Sequence, residues 1–189
     1  TPLERAREHR SPITWRAEDV PTPAFTGVRV LRDFPLATLR DYIDWTPFFH
    51  TWELKGIYPR IFEHEKYGEQ ARQIFAEANT LLDFMIEHQS ITAHGVYGLF
   101  PANGVGDDVE LYVDEARTQV LDRFHFLRQQ AQKNPTDACR SLSDFIAPLG
   151  TGLNDHLGAF AVTTGIGLKE FCGGFRAKQD DYNRMMAHA

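Results

Sequence analysis

Residues 95–113 read GVYGLFPANGVGDDVELYV, and this stretch decides the class of fold. In its second half, Val109 and Leu111 alternate with acidic residues, which is the two-residue period of a strand with one solvated face. Its first half is apolar on both faces of the chain. The Asn103-Gly104 pair between the two halves is a strong signal for a tight reversal of the chain. The stretch therefore predicts a β-hairpin.

The clearest helical pattern lies before the hairpin, over residues 66–87. Apolar residues recur there at spacings of three and four, which is typical of an amphipathic helix of about 20 residues. The apolar positions are Ala71, Ile74, Phe75, Ala78, Leu81, Leu82 and Met85. The tail from Leu168 to Ala189 returns to the same spacing. Both stretches are therefore predicted to be helical.

Shorter patterns indicate the remaining elements. Strands are predicted at residues 27–31, 144–148 and 158–164. A short helix is predicted at residues 36–44. A second helix is predicted to begin at Pro47, with Thr46 as its cap. Because helices and hairpin strands are mixed without regular β-α-β alternation, the sequence favours an α+β fold with an antiparallel sheet.

The chain divides by composition into two regions. Residues 1–35 contain five of the prolines, and four of these, Pro12, Pro21, Pro23 and Pro35, interrupt any long helix. This region is therefore predicted to be an extended segment or linker. Residues 36–189 hold most of the periodic patterns and are predicted to form the folded domain.

Composition and charge exclude several classes of partner. Twenty Lys and Arg against 26 Asp and Glu give a net charge of −6, which is unfavourable for binding phosphate backbones. No apolar run approaches the roughly 20 residues that span a bilayer. The first ten residues are polar and carry no secretory signal, and two cysteines make no disulfide framework. These features suit a reducing compartment and predict a protein that binds neither nucleic acid nor a membrane.

The common catalytic motifs are absent from the sequence. There is no glycine-rich dinucleotide fingerprint, no P-loop and no strained serine elbow. The His64-Glu65 pair is not followed by the second histidine of a zinc protease motif. None of the eight histidines is spaced four residues from another, as a helical metal site would require. The sequence therefore predicts no metal site.

One acidic residue stands out by its surroundings. Asp44 lies at a junction between helices, with Tyr42 before it and the aromatic run Trp45, Phe48 and Phe49 after it. In one interpretation Asp44 caps the next helix and the aromatic rings are core. In the other, the carboxylate sits in an aromatic rim and accepts hydrogen bonds from a cationic amine or a ribose, with rings close enough to contact a sulfonium. The residues alone leave both interpretations open.

Six blocks of the sequence lie in a fixed order over about residues 10–187. They read DYIDWTPFFHTWELKGIYPRIF at 41–62, GVYGLFPANGVGDDVELY at 95–112, FLRQQ at 126–130, LSDFIAP at 142–148, GAFAVTTG at 158–165 and QDDYNRMM at 179–186. Together they resemble the activation domain of cobalamin-dependent methionine synthase. The two longest blocks make the resemblance specific, because they are extended and are not generic core patterns.

The resemblance implies a fold and a function. The expected fold is α+β, with a twisted antiparallel sheet and flanking helices. The expected function is that of a reactivation module, which binds S-adenosylmethionine for the reductive methylation of cob(II)alamin in methionine biosynthesis. The implied partners are the cobalamin-binding domain of the parent enzyme, which holds the cobalamin, and a flavodoxin or flavoprotein reductase that supplies the electron. The chain is then a component of a homocysteine methyltransferase, with no turnover expected of the isolated chain.

The resemblance also implies a site residue and a departure from the family. Asp44 matches the aspartate of the family's D-W-T-P-F-F block, whose implied role is to contact the amino group of S-adenosylmethionine. The family's later R-P-A-P-G-Y-P block is not in this sequence, so residues 36–189 are expected to be a truncated activation domain. Ile57 stands where many family members have a lysine. The alternative is therefore a non-catalytic docking or scaffold fragment of the same fold, without ligand binding.

Overall fold

The computed structural model describes residues 1–131, 134, 136–163 and 165–189. The chain forms two compact units, each built from two stretches of sequence. The first unit comprises Thr1–Arg29 and Val96–Ala161, and the second comprises Val30–Gly95 and Val162–Ala189. The predicted division of the chain into an extended segment, residues 1–35, and a folded domain, residues 36–189, stays a prediction.

Helices and strands are mixed along the chain, as predicted. The helices are α1 (Leu3–Glu8), α2 (Leu36–Arg40), α3 (Trp45–Thr51), α4 (Gly68–Glu87), α5 (Leu168–Ala177) and α6 (Asp181–His188). The strands are β1 (Gly27–Leu31), β2 (Gly95–Val105), β3 (Asp108–Tyr112), β4 (Val120–His125) and β5 (Asp155–Val162). They form one curled sheet in the order β1-β2-β3-β4, with β5 also paired to β2, and the β2–β3 and β3–β4 pairings are antiparallel. The predicted α+β class with an antiparallel sheet is confirmed.

The β2–β3 hairpin is confirmed, but its turn lies two residues later than predicted. Val105 pairs with Asp108, so the reversal occurs at Gly106 and Asp107. Asn103 lies inside β2, where its side chain is fully buried and its amide donates to the Ala147 and Leu153 carbonyls at 2.9 and 2.8 Å. These distant partners hold Asn103 in the strand, and no local turn signal reveals them.

The other predicted elements have mixed outcomes. The long helix is confirmed as α4, the strand at 27–31 as β1 and the strand at 158–164 as β5, although Thr164 lies outside the described residues. The strand predicted at 144–148 is wrong, because Leu142–Phe145 form a 3₁₀ helix. The Asp144 carboxylate causes this turn by accepting from the Ser141 backbone N–H at 2.9 Å.

A buried arginine organises the first unit. The Arg128 side chain is only 1% exposed, and its guanidinium contacts Asp107 at 2.7 Å and Asp144 at 2.6 Å. It also donates to the Cys139 carbonyl at 2.7 Å. A buried charge is costly unless its hydrogen bonds are satisfied, and here two carboxylates and one carbonyl satisfy them. Arg128 therefore joins the hairpin turn to the segment at residues 139–144.

The same contacts lower the pKa values of both carboxyl groups. Burial raises the pKa of Asp144, but hydrogen bonds from Arg128 and the Ser141 backbone lower it by more in sum. Burial likewise raises the pKa of Asp107, and Arg7 and Arg128 together outweigh that effect. Both pKa values therefore lie below the ordinary value of 3.8.

Replacing Arg128 by leucine should destabilise the chain strongly. The Arg128→Leu variant leaves two carboxylates without their shared partner, and removing one member of a buried ion pair costs about 3–5 kcal/mol. Chemical denaturation measures the loss. Arg16→Leu is the control, because the Arg16–Glu18 pair is exposed at both ends and an exposed pair contributes at most about 1 kcal/mol. Equal losses in the two variants would contradict a structural role for the buried contact.

Acid should release the stabilisation that the two carboxylates contribute. Because their pKa values are lower in the folded chain, this contribution is complete above about pH 4 and is lost as the pH falls through the folded values. The free energy of unfolding of Asp144→Asn should therefore fall less between about pH 4 and pH 2 than that of the wild type. Denaturation at several pH values measures both slopes, and the exposed Asp41→Asn variant should keep the wild-type slope. An unchanged slope in Asp144→Asn would sink this explanation.

Candidate functional site

Asp44 lies at the beginning of α3, in the second unit. Its backbone is extended, and its carboxylate Oδ1 accepts a hydrogen bond from the Thr46 backbone N–H at 3.0 Å. Asp44 is therefore the cap of α3, and the prediction that Thr46 caps a helix beginning at Pro47 is wrong. Pro47 lies inside the first turn, where a residue without an N–H loses no helical hydrogen bond.

The aromatic residues after Asp44 form the core of the second unit. Trp45, Phe48 and Phe49 are buried, and Phe49 has no exposed surface. The Trp45 ring meets Phe75 of α4 edge-on at 4.7 Å, and the Phe49 ring meets Phe62 at 5.9 Å. Such edge-to-face pairs add about 0.5–1.5 kcal/mol each to the burial of the rings. This packing fixes α3 against α4.

A cavity of about 230 Å³ lies beside Asp44. Its lining residues are Ile43, Asp44, Trp45, Pro47, Phe48, Ala78, Leu81, Leu82, Met85, Met186, Ala187 and Ala189. Asp44 is exposed and supplies the carboxylate, and the other lining side chains are apolar or aromatic. The cavity therefore combines one negative charge with walls that suit an apolar ligand body.

The structure shows the capping role of Asp44, and the ligand-binding role stays a prediction. The residue caps a helix, and its neighbours are core, but the carboxylate also lines a cavity. Capping occupies Oδ1, and within the described ranges no side chain or backbone group bonds Oδ2. An ionised carboxylate has about four acceptor positions on its two oxygens. Asp44 can therefore accept from a ligand cation while it keeps its capping bond.

A second cluster in this unit was missed by the sequence analysis. The Tyr182 hydroxyl of α6 donates to the Glu77 carboxylate of α4, and the Tyr182 ring lies 5.2 Å from that of Trp52. Burial first, and then the hydrogen bond to Glu77, raise the pKa of Tyr182 to about 12. Tyr182 belongs to the QDDYNRMM block, and the contact shows that this block holds α6 on α4.

Neither a metal-binding cluster nor a helix able to cross a membrane is found in the part of the chain that the structure describes. Within it, no group of three or more His, Cys, Asp or Glu side chains is arranged to hold a metal ion. None of its helices has the length and apolar character needed to cross a membrane.

Comparisons with known proteins give one family and one fold. The protein-family model described as vitamin B12 dependent methionine synthase, activation domain, matches residues 35–189. A crystal structure of the MetH reactivation domain bound to AdoHcy is 45% identical in sequence and has a TM-score of 0.89. That similarity covers 100% of this chain and 57% of the other. The chain thus spans little more than half the length of the protein it matches.

Two substitutions should separate the capping role of Asp44 from its charge. Asparagine is as good a cap as aspartate, whereas alanine at a cap costs about 1 kcal/mol. Asp44→Ala should therefore lower the free energy of unfolding by about that amount, and Asp44→Asn should leave it nearly unchanged. Thermal or chemical denaturation measures both variants. Equal destabilisation by the two substitutions would show that the negative charge, and not the cap, matters for folding.

Proposed function

We propose that this chain, which belongs to the family of activation domains of vitamin B12-dependent methionine synthase, is part of the reactivation module of such an enzyme. In this function it binds S-adenosylmethionine, whose methyl group regenerates methylcobalamin after cob(II)alamin is reduced. The observation that carries the proposal is the 45% identity, over the whole chain, to a reactivation domain solved with AdoHcy. The cavity beside Asp44 supplies a carboxylate and apolar walls that suit such a ligand.

Asp44 is proposed to hold the amino-acid end of the ligand. S-adenosylmethionine and AdoHcy, its demethylated product, both carry an α-ammonium group, which donates charge-assisted hydrogen bonds to a carboxylate. The Thr46 N–H bonds only to Oδ1 of Asp44, so Oδ2 keeps its capacity to accept such a bond. The capping bond also restricts the orientation of the carboxylate before the ligand arrives. A ligand therefore meets an acceptor that is already in position.

The walls of the cavity are proposed to contact the middle of the ligand. Trp45 and Phe48 line the same cavity as Asp44, and an aromatic face attracts a cation that lies within about 6 Å of the ring centroid. The sulfonium of S-adenosylmethionine is such a cation, while the methylene groups beside it suit the apolar walls. Transfer requires that the methyl group remain accessible, so the residues of the site should hold the ligand by its ends.

The remaining chemistry is proposed to come from partners. Cobalamin, held by another domain of the parent enzyme, supplies the cobalt that accepts the methyl group. A flavodoxin or flavoprotein reductase supplies the electron, and the assembled enzyme works in the cytoplasm. In this proposal the chain belongs to a homocysteine methyltransferase and has no turnover by itself. The residues of this chain bind and orient the methyl donor.

Asp44→Asn should weaken ligand binding without unfolding the chain. A hydrogen bond to a charged group contributes about 1.5–3 kcal/mol, so the dissociation constant for AdoHcy should rise about tenfold or more. The measurement is a calorimetric titration, with AdoHcy and then with S-adenosylmethionine, of the natural protein that contains these residues. Asp41→Asn is the matched control, since it removes the same charge from an exposed position three residues away and should bind as the wild type does.

Two results would contradict the proposal in different ways. Unchanged affinity in Asp44→Asn, with binding by the wild type, would remove Asp44 from the site. Absence of binding in the wild type, at concentrations well above micromolar, would favour the alternative of a docking or scaffold module without a ligand.

A further inference from the structure

The hydroxyl of Thr46 makes a hydrogen bond that is separate from the capping bond between its backbone and Asp44. Thr46 Oγ1 accepts a hydrogen bond from the Tyr58 backbone N–H at 3.2 Å. The backbone N–H of the same residue donates to Asp44 Oδ1 at 3.0 Å. Thr46 therefore stands between two partners, with Asp44 before it in the chain and Tyr58 twelve residues after it. Both contacts lie within the second unit.

Tyr58 is itself fixed by the aromatic core. Its ring lies 5.6 Å from that of Phe62, in edge-on contact, and 5.7 Å from that of Phe75 on α4. The backbone that donates to Thr46 is therefore attached to the same group of rings that buries Phe49. The hydroxyl of Thr46 connects the first turn of α3 to this packed group.

The length of α3 gives this connection its importance. The helix has seven residues, and helices shorter than about 12–15 residues are marginal without tertiary contacts. Phe48 and Phe49 hold its later residues in the core, but Asp44 precedes the helix and is exposed. The Thr46 N–H orients the Asp44 carboxylate, and the bond from Tyr58 adds to the packing of Trp45 in holding that N–H in place.

We propose that Thr46 is a positioning residue for the ligand ammonium, because its hydroxyl holds the first helical turn and thereby the Asp44 carboxylate at the cavity. This inference rests on the proposed function. Thr46 itself donates no side-chain hydrogen bond to the ligand in this arrangement. Its contribution to binding is therefore transmitted through Asp44 and disappears when Asp44 no longer carries a charge.

A double-mutant cycle on AdoHcy binding tests the inference. Thr46→Val removes the hydroxyl and keeps the shape of the side chain. Since one hydrogen bond contributes modestly, the dissociation constant should rise about 3- to 10-fold in the wild-type background. The same substitution should have little effect when Asp44 is already asparagine. Thr46→Ser restores the hydroxyl and should restore wild-type affinity.

The outcomes separate this inference from the proposed function. If Asp44→Asn alone leaves AdoHcy binding unchanged, the proposed site is wrong and the inference falls with it. If Asp44→Asn weakens binding but Thr46→Val has no effect, or has the same effect in both backgrounds, only the inference is wrong. If the role of Thr46 is purely structural, Thr46→Val lowers stability both in the wild type and in Asp44→Asn. Its effect on AdoHcy affinity is then the same in the two proteins.

A measurement on the unmutated protein covers the case in which Thr46→Val does not fold. Amide hydrogen exchange reports the opening of individual hydrogen bonds. Exchange at the Tyr58 N–H should slow when AdoHcy binds, because the ligand holds Asp44 and the first turn together with it. Exchange at Tyr58 that is the same with and without bound AdoHcy would overturn the inference.

Discussion

The burial of Phe49 among other aromatic side chains is the constraint on which the candidate site depends. Phe49 contacts Phe48, Tyr58, Phe62 and Phe75, and burial of one such side chain stabilises a fold by about 1.5–3 kcal/mol. A seven-residue helix has too few internal hydrogen bonds to persist without this packing. The aromatic core thus determines where α3 begins, and the beginning of α3 determines where Asp44 lies.

This dependence explains how one residue can serve the fold and the site. A cap and a ligand group are usually considered as alternatives, and the sequence left that choice open for Asp44. The capping bond uses one carboxylate oxygen and holds the group in a single orientation, which is the preorganisation that a binding site requires. The structural role therefore supports the proposed functional one.

Sequence patterns predicted those elements whose cause is local. The spacing of apolar residues located α4, and the alternation after Asp107 located β3. The errors fall where a hydrogen bond, local or distant, overrides the apolar pattern. Asn103 stays in β2 because the Ala147 and Leu153 carbonyls receive its amide, and the strand expected around Asp144 is replaced by a turn that Ser141 and Arg128 hold. The spacing of apolar residues reports neither kind of contact.

The blocks that resemble the family lie where these distant contacts are made. Block 126–130 supplies Arg128 and block 142–148 supplies its partner Asp144, while block 179–186 supplies Tyr182 to Glu77 of α4. The long block at 41–62 contains both Thr46 and Tyr58, twelve residues apart and hydrogen-bonded to each other. These blocks are neither periodic nor generic, and the contacts made by their residues have specific geometry. The residues around Asp44 already distinguish it, and the resemblance to a family adds the ligand role, which stays a prediction.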